Sequence, residues 1–153
     1  MSFMNKIVIE FFASFFLWLM FAGIFVLWIY DGKIKKEQAL HALFAGILAW
    51  VLVAFIKSLF PTLRPFMLNG RPTDVLIPPS DGSFPSGHTA TAFALAVTIW
   101  KHDKKVGVFY LLAALAVGVA RVLANVHYPV DILGGAVLGI LSSLATEKLH
   151  LKA

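Results

Sequence analysis

Apolar and polar positions divide the chain into five long apolar stretches separated by short polar ones. The first runs from Ile7 to Tyr30 and carries one charge, Glu10. The second runs from about Ala39 to Ile56, and the third from near Ser86 to Trp100, which is short for a full crossing. The fourth covers Val106 to about Val126 with Arg121 inside it, and the fifth covers Val130 to about Thr146. None keeps the strict alternation of a half-buried strand, so each predicts a helix that is apolar on most faces. A membrane-crossing helix needs about 20 such residues. The fold class predicted is all-α, an integral membrane bundle of about five transmembrane helices forming a single domain over residues 1–153.

Composition narrows the picture further. The 153 residues are 59% apolar and 14% charged, whereas soluble domains run at about 45–50% and about 25%. That balance excludes an ordinary soluble globule, a disordered chain and a nucleic-acid-binding tail, so no nucleic acid is expected as a partner. The net charge of +5 comes from basic residues dispersed among the apolar runs, a pattern that marks cytoplasmic loops. The absence of cysteine excludes disulfides, thiolate metal sites and cysteine nucleophiles. The first apolar stretch is longer than the roughly 7–15 residues of a signal-peptide core and lacks a small-x-small cleavage site, so it reads as a retained anchor.

Counting Lys and Arg in alternate connections gives eight on one side (Lys33, Lys35, Lys36, Lys101, Lys104, Lys105, Lys148 and Lys152) and five on the other (Lys6, Lys57, Arg64, Arg71 and Arg121). The larger set is expected in the cytoplasm with the C-terminus, and the N-terminus outside. The outer side then holds the Arg121–Asp131 turn and the long loop from Lys57 to Pro85. Six of the seven prolines fall between Pro61 and Pro85. Phe66, Met67, Leu68 and Phe84 predict that this segment docks in part at the interface.

Ionisable groups at membrane depth are costly and point to function. Three clusters fall at helix ends on that outer side. The first is Lys57 and Arg64-Pro65, seven residues apart, which puts both cations on one face of a helix that Pro61 kinks or ends. Alone, it reads more simply as cations snorkelling at a helix end. The second is Pro85-Ser86-Gly87-His88, where Ser86 serves as N-cap, Gly87 admits close backbone approach, and the free first-turn amides suit an anion beside His88. A capped helix start with an interfacial histidine fits these residues equally well. The third joins Arg121, His127 and Asp131, with Pro129 at the first position of the last helix. Asp131 is placed to accept a hydrogen bond from one ring nitrogen of His127, leaving the other as nucleophile. The simpler alternative is an Arg121–Asp131 pair with a bystander histidine. Together the clusters offer three cations, two histidines, a carboxylate and a helix N-terminus, an inventory suited to phosphoryl transfer through a phosphohistidine.

In order and spacing these clusters resemble the three signature motifs of the type 2 phosphatidic acid phosphatase (PAP2) superfamily, which shares its site with vanadium haloperoxidases. The resemblance covers about residues 57–135. It implies that His127 is the nucleophile, Asp131 its orienting partner and His88 the general acid. It also implies that Lys57, Arg64, Ser86, Gly87 and Arg121 hold the phosphate, with neither metal nor organic cofactor. Two departures stand out: Ala120 occupies the place of the family's usual serine, removing one donor to the phosphate, and five helices are counted where the family commonly has six.

The runs Arg64-Pro65-Phe66, Leu76-Ile77-Pro78 and Ser83-Phe84-Pro85-Ser86 look most like bacterial undecaprenyl pyrophosphate phosphatases of the bacitracin-resistance type. That resemblance implies a substrate carried in the bilayer and a plasma-membrane site facing outward. The motifs bind only phosphate, so phosphatidylglycerophosphate and phosphatidic acid stay open as substrates, as does a non-catalytic anion-binding role. His41, His102 and His150 read as interfacial, and Arg71, Asp74 and Asp81 as solvated loop charges. Glu10 is a weak candidate for the substrate head group, the four tryptophans read as interfacial belts or lipid-facing surface, and Gly134, Gly135 and Gly139 as packing residues.

Overall fold

The computed structural model describes residues 3–30 and 36–150. The elements run α1 (Phe3–Glu10), a π-helical turn (Phe11–Phe15), α2 (Phe16–Tyr30), α3 (Lys36–Leu59), α4 (Pro65–Asn69), α5 (Gly87–His102), α6 (Lys104–Leu123) and α7 (Pro129–His150). Four segments among the described residues are long and apolar enough to cross a membrane: Met4–Ile29, which joins α1, the π turn and α2, then Gln38–Leu59, Lys104–Leu123 and Pro129–Lys148. The fifth expected span, α5, has 16 residues, about 24 Å at 1.5 Å per residue.

A short, threonine-bearing helix survives in this company because protein surrounds it. Helix α5 packs against α3, α6 and α7, and Ala90, Ala92, Ala94, Leu95, Ala96 and Ile99 are wholly buried. Two of its three threonine hydroxyls bond within the bundle, Thr89 to Ser86 Oγ at 3.0 Å and Thr98 to the Ala94 carbonyl at 2.8 Å and Ser143 of α7 at 2.9 Å, while Thr91 Oγ1 is buried without a partner. The expected packing glycines explain how close α7 approaches. A Cβ on Gly135 would lie 2.6 Å from the Ser86 carbonyl, and one on Gly139 would collide with the carbonyl of Ala90. Gly134 likewise makes room for the Phe84 ring.

Leu17, Met20 and Ile24 of α2 join Leu95, Ile99, Ala114 and Val117 in the main core, and Tyr110 donates to the Met20 carbonyl across it at 2.9 Å. Outward, α3 exposes Phe44, Ile47 and Phe55, α6 exposes Phe109 and Leu112, and α7 exposes Leu133 and Val137. Such a surface fits hydrocarbon and not water.

The two ends of the bundle differ in chemistry. Where α3 and α6 begin and α5 and α7 finish, Lys101 pairs with Glu147, Lys104 lies 3.3 Å over the Trp100 ring, and Lys36 lies over Trp28. Lys33, Lys35 and Lys152 of the expected basic set lie outside the described residues. The opposite end gathers all three motif clusters and the start of α1, where Lys6 pairs with Asp74.

Candidate active site

Helix α3 stops at Leu59, two residues before Pro61, so Lys57 stands on its last turn. Arg64 follows in extended conformation as the N-cap residue of α4, with Pro65 at the first helical position. Ser86 caps α5 as expected, its Oγ accepting from the Thr89 amide at 3.5 Å and the Thr89 hydroxyl at 3.0 Å. The amides of Gly87 and His88 are thereby left at the open end of the helix. Pro129 opens α7, and the Asp131 amide closes the turn onto the Tyr128 carbonyl at 3.0 Å.

These ends enclose a cleft of about 390 Å³ lined by Lys57, Arg64, Asp81, Gly87, His88, Arg121 and His127, with Trp50, Val53 and Ile77 on its apolar wall. Ser86 is wholly buried and does not line the cleft, and its Oγ serves the cap as acceptor. Trp50, grouped by sequence with the interfacial belts or lipid-facing surface, is half exposed and also stands edge-on to the His88 ring at 6.2 Å between centroids.

The His127–Asp131 contact is present, Nδ1 to Oδ2 at 3.2 Å, and both side chains are almost fully buried. Nε2 of the same ring lies 3.3 Å from Arg64 Nη1. A guanidinium only donates, so Nε2 is the acceptor and the proton sits on Nδ1, directed at Asp131. The same Oδ2 also accepts from the Ser83 hydroxyl at 2.6 Å and the Tyr128 amide at 2.8 Å. In sequence Ser83 figures only within the run Ser83-Phe84-Pro85-Ser86, and its bond to Asp131, 48 residues away, has no signal there.

Arg121 does not pair with Asp131. Its Nη1 donates to the Ala13 carbonyl in the π turn at 3.0 Å, and its Nε is buried without a partner. A buried cation with a donor to spare has the hydrogen-bonding capacity that an anion can use. Ala120, in the place of the expected serine, joins the apolar cluster of Ile9, Ala13, Ala124 and Val126, against which Phe66 packs.

Arg64 is 1% exposed and is held on several sides. It donates to the carbonyls of Asp81 (2.9 Å), Val126 (2.8 Å) and Gly82 (3.0 Å). The reading of Asp81 as a solvated loop charge holds only in part: the side chain is largely exposed, yet its carboxylate sits 2.7 Å from Arg64 Nη2 and 2.7 Å from Lys57 Nζ. The loop carrying it is docked, as expected of an ordered connector. Asn125, at a left-handed φ of 62°, exchanges side-chain bonds with Asn69 and donates to the Arg71 carbonyl. Asp74 donates its amide to Ala124 at 3.1 Å. Phe66 packs inward, whereas Met67 and Leu68 are exposed.

His127 lies in the turn between α6 and α7. Burial pushes its imidazole down from 6.5 to about 4, with the bond to Asp131 opposing the shift and the charges of Arg121, Arg64 and Lys57 adding to it. The ring is therefore neutral at pH 7. A folded value below the unfolded one means that the unfolded chain binds more protons between pH 6.5 and about 4, so stability falls as pH drops through that window. The thermal unfolding midpoint in detergent is expected to decline over this range and to decline less in His127→Gln. An equal decline in the variant would assign the titration to another group.

Residues 38–153 match the PAP2 superfamily. The bacitracin transport permease protein BcrC of Bacillus licheniformis is 32% identical over 90% of this chain and 68% of its own length. Undecaprenyl-diphosphatase BcrC of Bacillus subtilis is 32% identical over 75% of this chain, a match spanning 59% of that relative's length. The crystal structure of Aquifex aeolicus LpxE superposes with a TM-score of 0.81 at 28% identity, covering 97% of this chain and 88% of that one. With the matched family model, the helical membrane architecture and the motif clusters gathered at one end of the bundle, the chain belongs to the PAP2 superfamily.

Proposed function

We propose that the chain is a single membrane-embedded phosphatase domain that hydrolyses a lipid diphosphate, undecaprenyl pyrophosphate, to the monophosphate at the extracytoplasmic face. The observation that carries the chemistry is the His127 ring. Its proton is directed at Asp131 and its Nε2 faces a cleft bearing Lys57, Arg64 and Arg121. Nε2 attacks the terminal phosphorus as the bond to the bridging oxygen breaks, and His88, protonated once the anionic head group offsets the neighbouring cations, gives its proton to that departing oxygen. Water then attacks the phosphohistidine with His88 taking the proton, the N–P bond breaks, and phosphate leaves. Lys57, Arg64, Arg121 and the Gly87 and His88 amides balance the charge on the equatorial oxygens, the work that metal ions do in other phosphoryl-transfer sites. Ser86 holds the first turn of α5 through the cap, and its own O–H is left to donate to phosphate.

The 32% identity to an undecaprenyl-diphosphatase supports this substrate, and the apolar cleft wall of Trp50, Val53 and Ile77 suits a prenyl chain leaving the head group. The outward orientation is supported by the basic end, which lies opposite the cleft. The test is phosphate release by the detergent-purified chain with EDTA present, comparing undecaprenyl pyrophosphate with phosphatidylglycerophosphate. Release that prefers the prenyl substrate and survives EDTA is expected. Preference for the glycerolipid would replace the substrate, and loss of activity in EDTA would overturn the metal-free mechanism.

A further inference from the structure

Two cations of the proposed phosphate site are already bridged by a carboxylate. Lys57 and Arg64 are nearly buried, with side chains 9% and 2% exposed, while the Asp81 side chain on their open side is 57% exposed. Each carboxylate oxygen takes one cation at 2.7 Å, the short charge-assisted geometry in which a phosphate bridges the same groups. Arg64 does not need this carboxylate to keep its place, because the carbonyls of Asp81, Gly82 and Val126 hold the guanidinium. Those bonds also pin the backbone at residues 81 and 82, so the carboxylate can swing away by side-chain rotation alone.

We infer that the Asp81 carboxylate is an internal occupant of the phosphate site: it bridges Lys57 and Arg64 in the empty enzyme, and the incoming phosphate evicts it. The inference rests on the proposed phosphatase reading and adds an affinity-determining residue to it. Asp81 is outside the membrane-spanning helices. Burial alone would raise its pKa, but the bonds and charges of Lys57 and Arg64 outweigh burial and lower it, so the competitor is ionised throughout the neutral range. Without it, Lys57, Arg64 and Arg121 would face any phosphate unopposed and would grip the product as firmly as the substrate. With it, departing phosphate is replaced by a carboxylate held on the same chain. The alternative role is a clamp that fixes Lys57 for phosphate binding, and the two roles predict opposite signs.

The experiment is binding of inorganic phosphate to the full detergent-solubilised chain, followed by ³¹P line broadening, in the parent, Asp81→Asn and Asp81→Ala. Releasing two partly exposed ion pairs should tighten phosphate about tenfold in both variants. Unchanged or weaker binding in either variant, alongside measurable binding by the parent, would overturn the inference and favour the clamp while leaving the phosphatase reading intact. If none of the three proteins binds phosphate, the anion-site reading falls and the inference falls with it.

Discussion

His127→Ala should lower phosphate release by at least about four orders of magnitude, to the level of the uncatalysed background, because it removes the only group in the proposed mechanism able to form the covalent intermediate. The loss should be chemical and not a failure to fold. With the ring gone, Oδ2 of Asp131 keeps the Ser83 hydroxyl and the Tyr128 amide, and Arg64 Nη1 keeps the Val126 carbonyl. The cationic lining of Lys57, Arg64 and Arg121 is untouched, so the variant should still bind inorganic phosphate. The check is steady-state release alongside phosphate binding on the same preparation. Turnover within tenfold of the parent would sink the nucleophile assignment. Loss of both turnover and phosphate binding would mean that the cleft had collapsed.

How much of this was legible beforehand depended on sequence separation. Helix-end signals are local: Ser86 ahead of Gly87-His88, and Pro129 two residues before Asp131, fix caps and first turns through near neighbours, and the structure has them where the sequence placed them. The His127–Asp131 contact spans four residues and is equally readable. Asp81 lies 24 residues from Lys57 and Ser83 lies 48 from Asp131, so packing of α3, α5 and α7 decides those meetings, and a loop carboxylate carries no mark of which cation it will face. For Arg121 the simpler sequence reading was a pair with Asp131. The π turn supplies the Ala13 oxygen in its place, and the sequence Phe11-Phe12-Ala13-Ser14-Phe15 gives no periodic hint of it. Ala120, read in sequence as a missing phosphate donor, packs its methyl among Ile9, Ala13, Ala124 and Val126, a role that its place in the motif did not announce.

Asp131→Asn should lower kcat by roughly three to four orders of magnitude, the scale on which loss of an orienting carboxylate acts in a hydrolase triad, while leaving phosphate affinity near that of the parent. Three donors converge on one oxygen of Asp131: His127 Nδ1, the Ser83 hydroxyl and the Tyr128 amide. An asparagine with its amide oxygen in that place keeps all three bonds, but it has no negative charge to stabilise the imidazole as it becomes cationic on phosphorylation. An asparagine turned the other way offers an NH₂ to those donors. His127 Nδ1 must then accept, its proton moves to Nε2, and Nε2–H meets the Arg64 guanidinium with no lone pair for phosphorus. Either rotamer damages the nucleophile, and neither changes the charge of a residue lining the cleft, because Asp131 is 1% exposed and lies behind His127. The expected signature is thus a large fall in kcat with little change in phosphate binding. A variant that lost phosphate affinity and kept its kcat would show that Asp131 shapes the anion site, and the orienting role would have to be withdrawn.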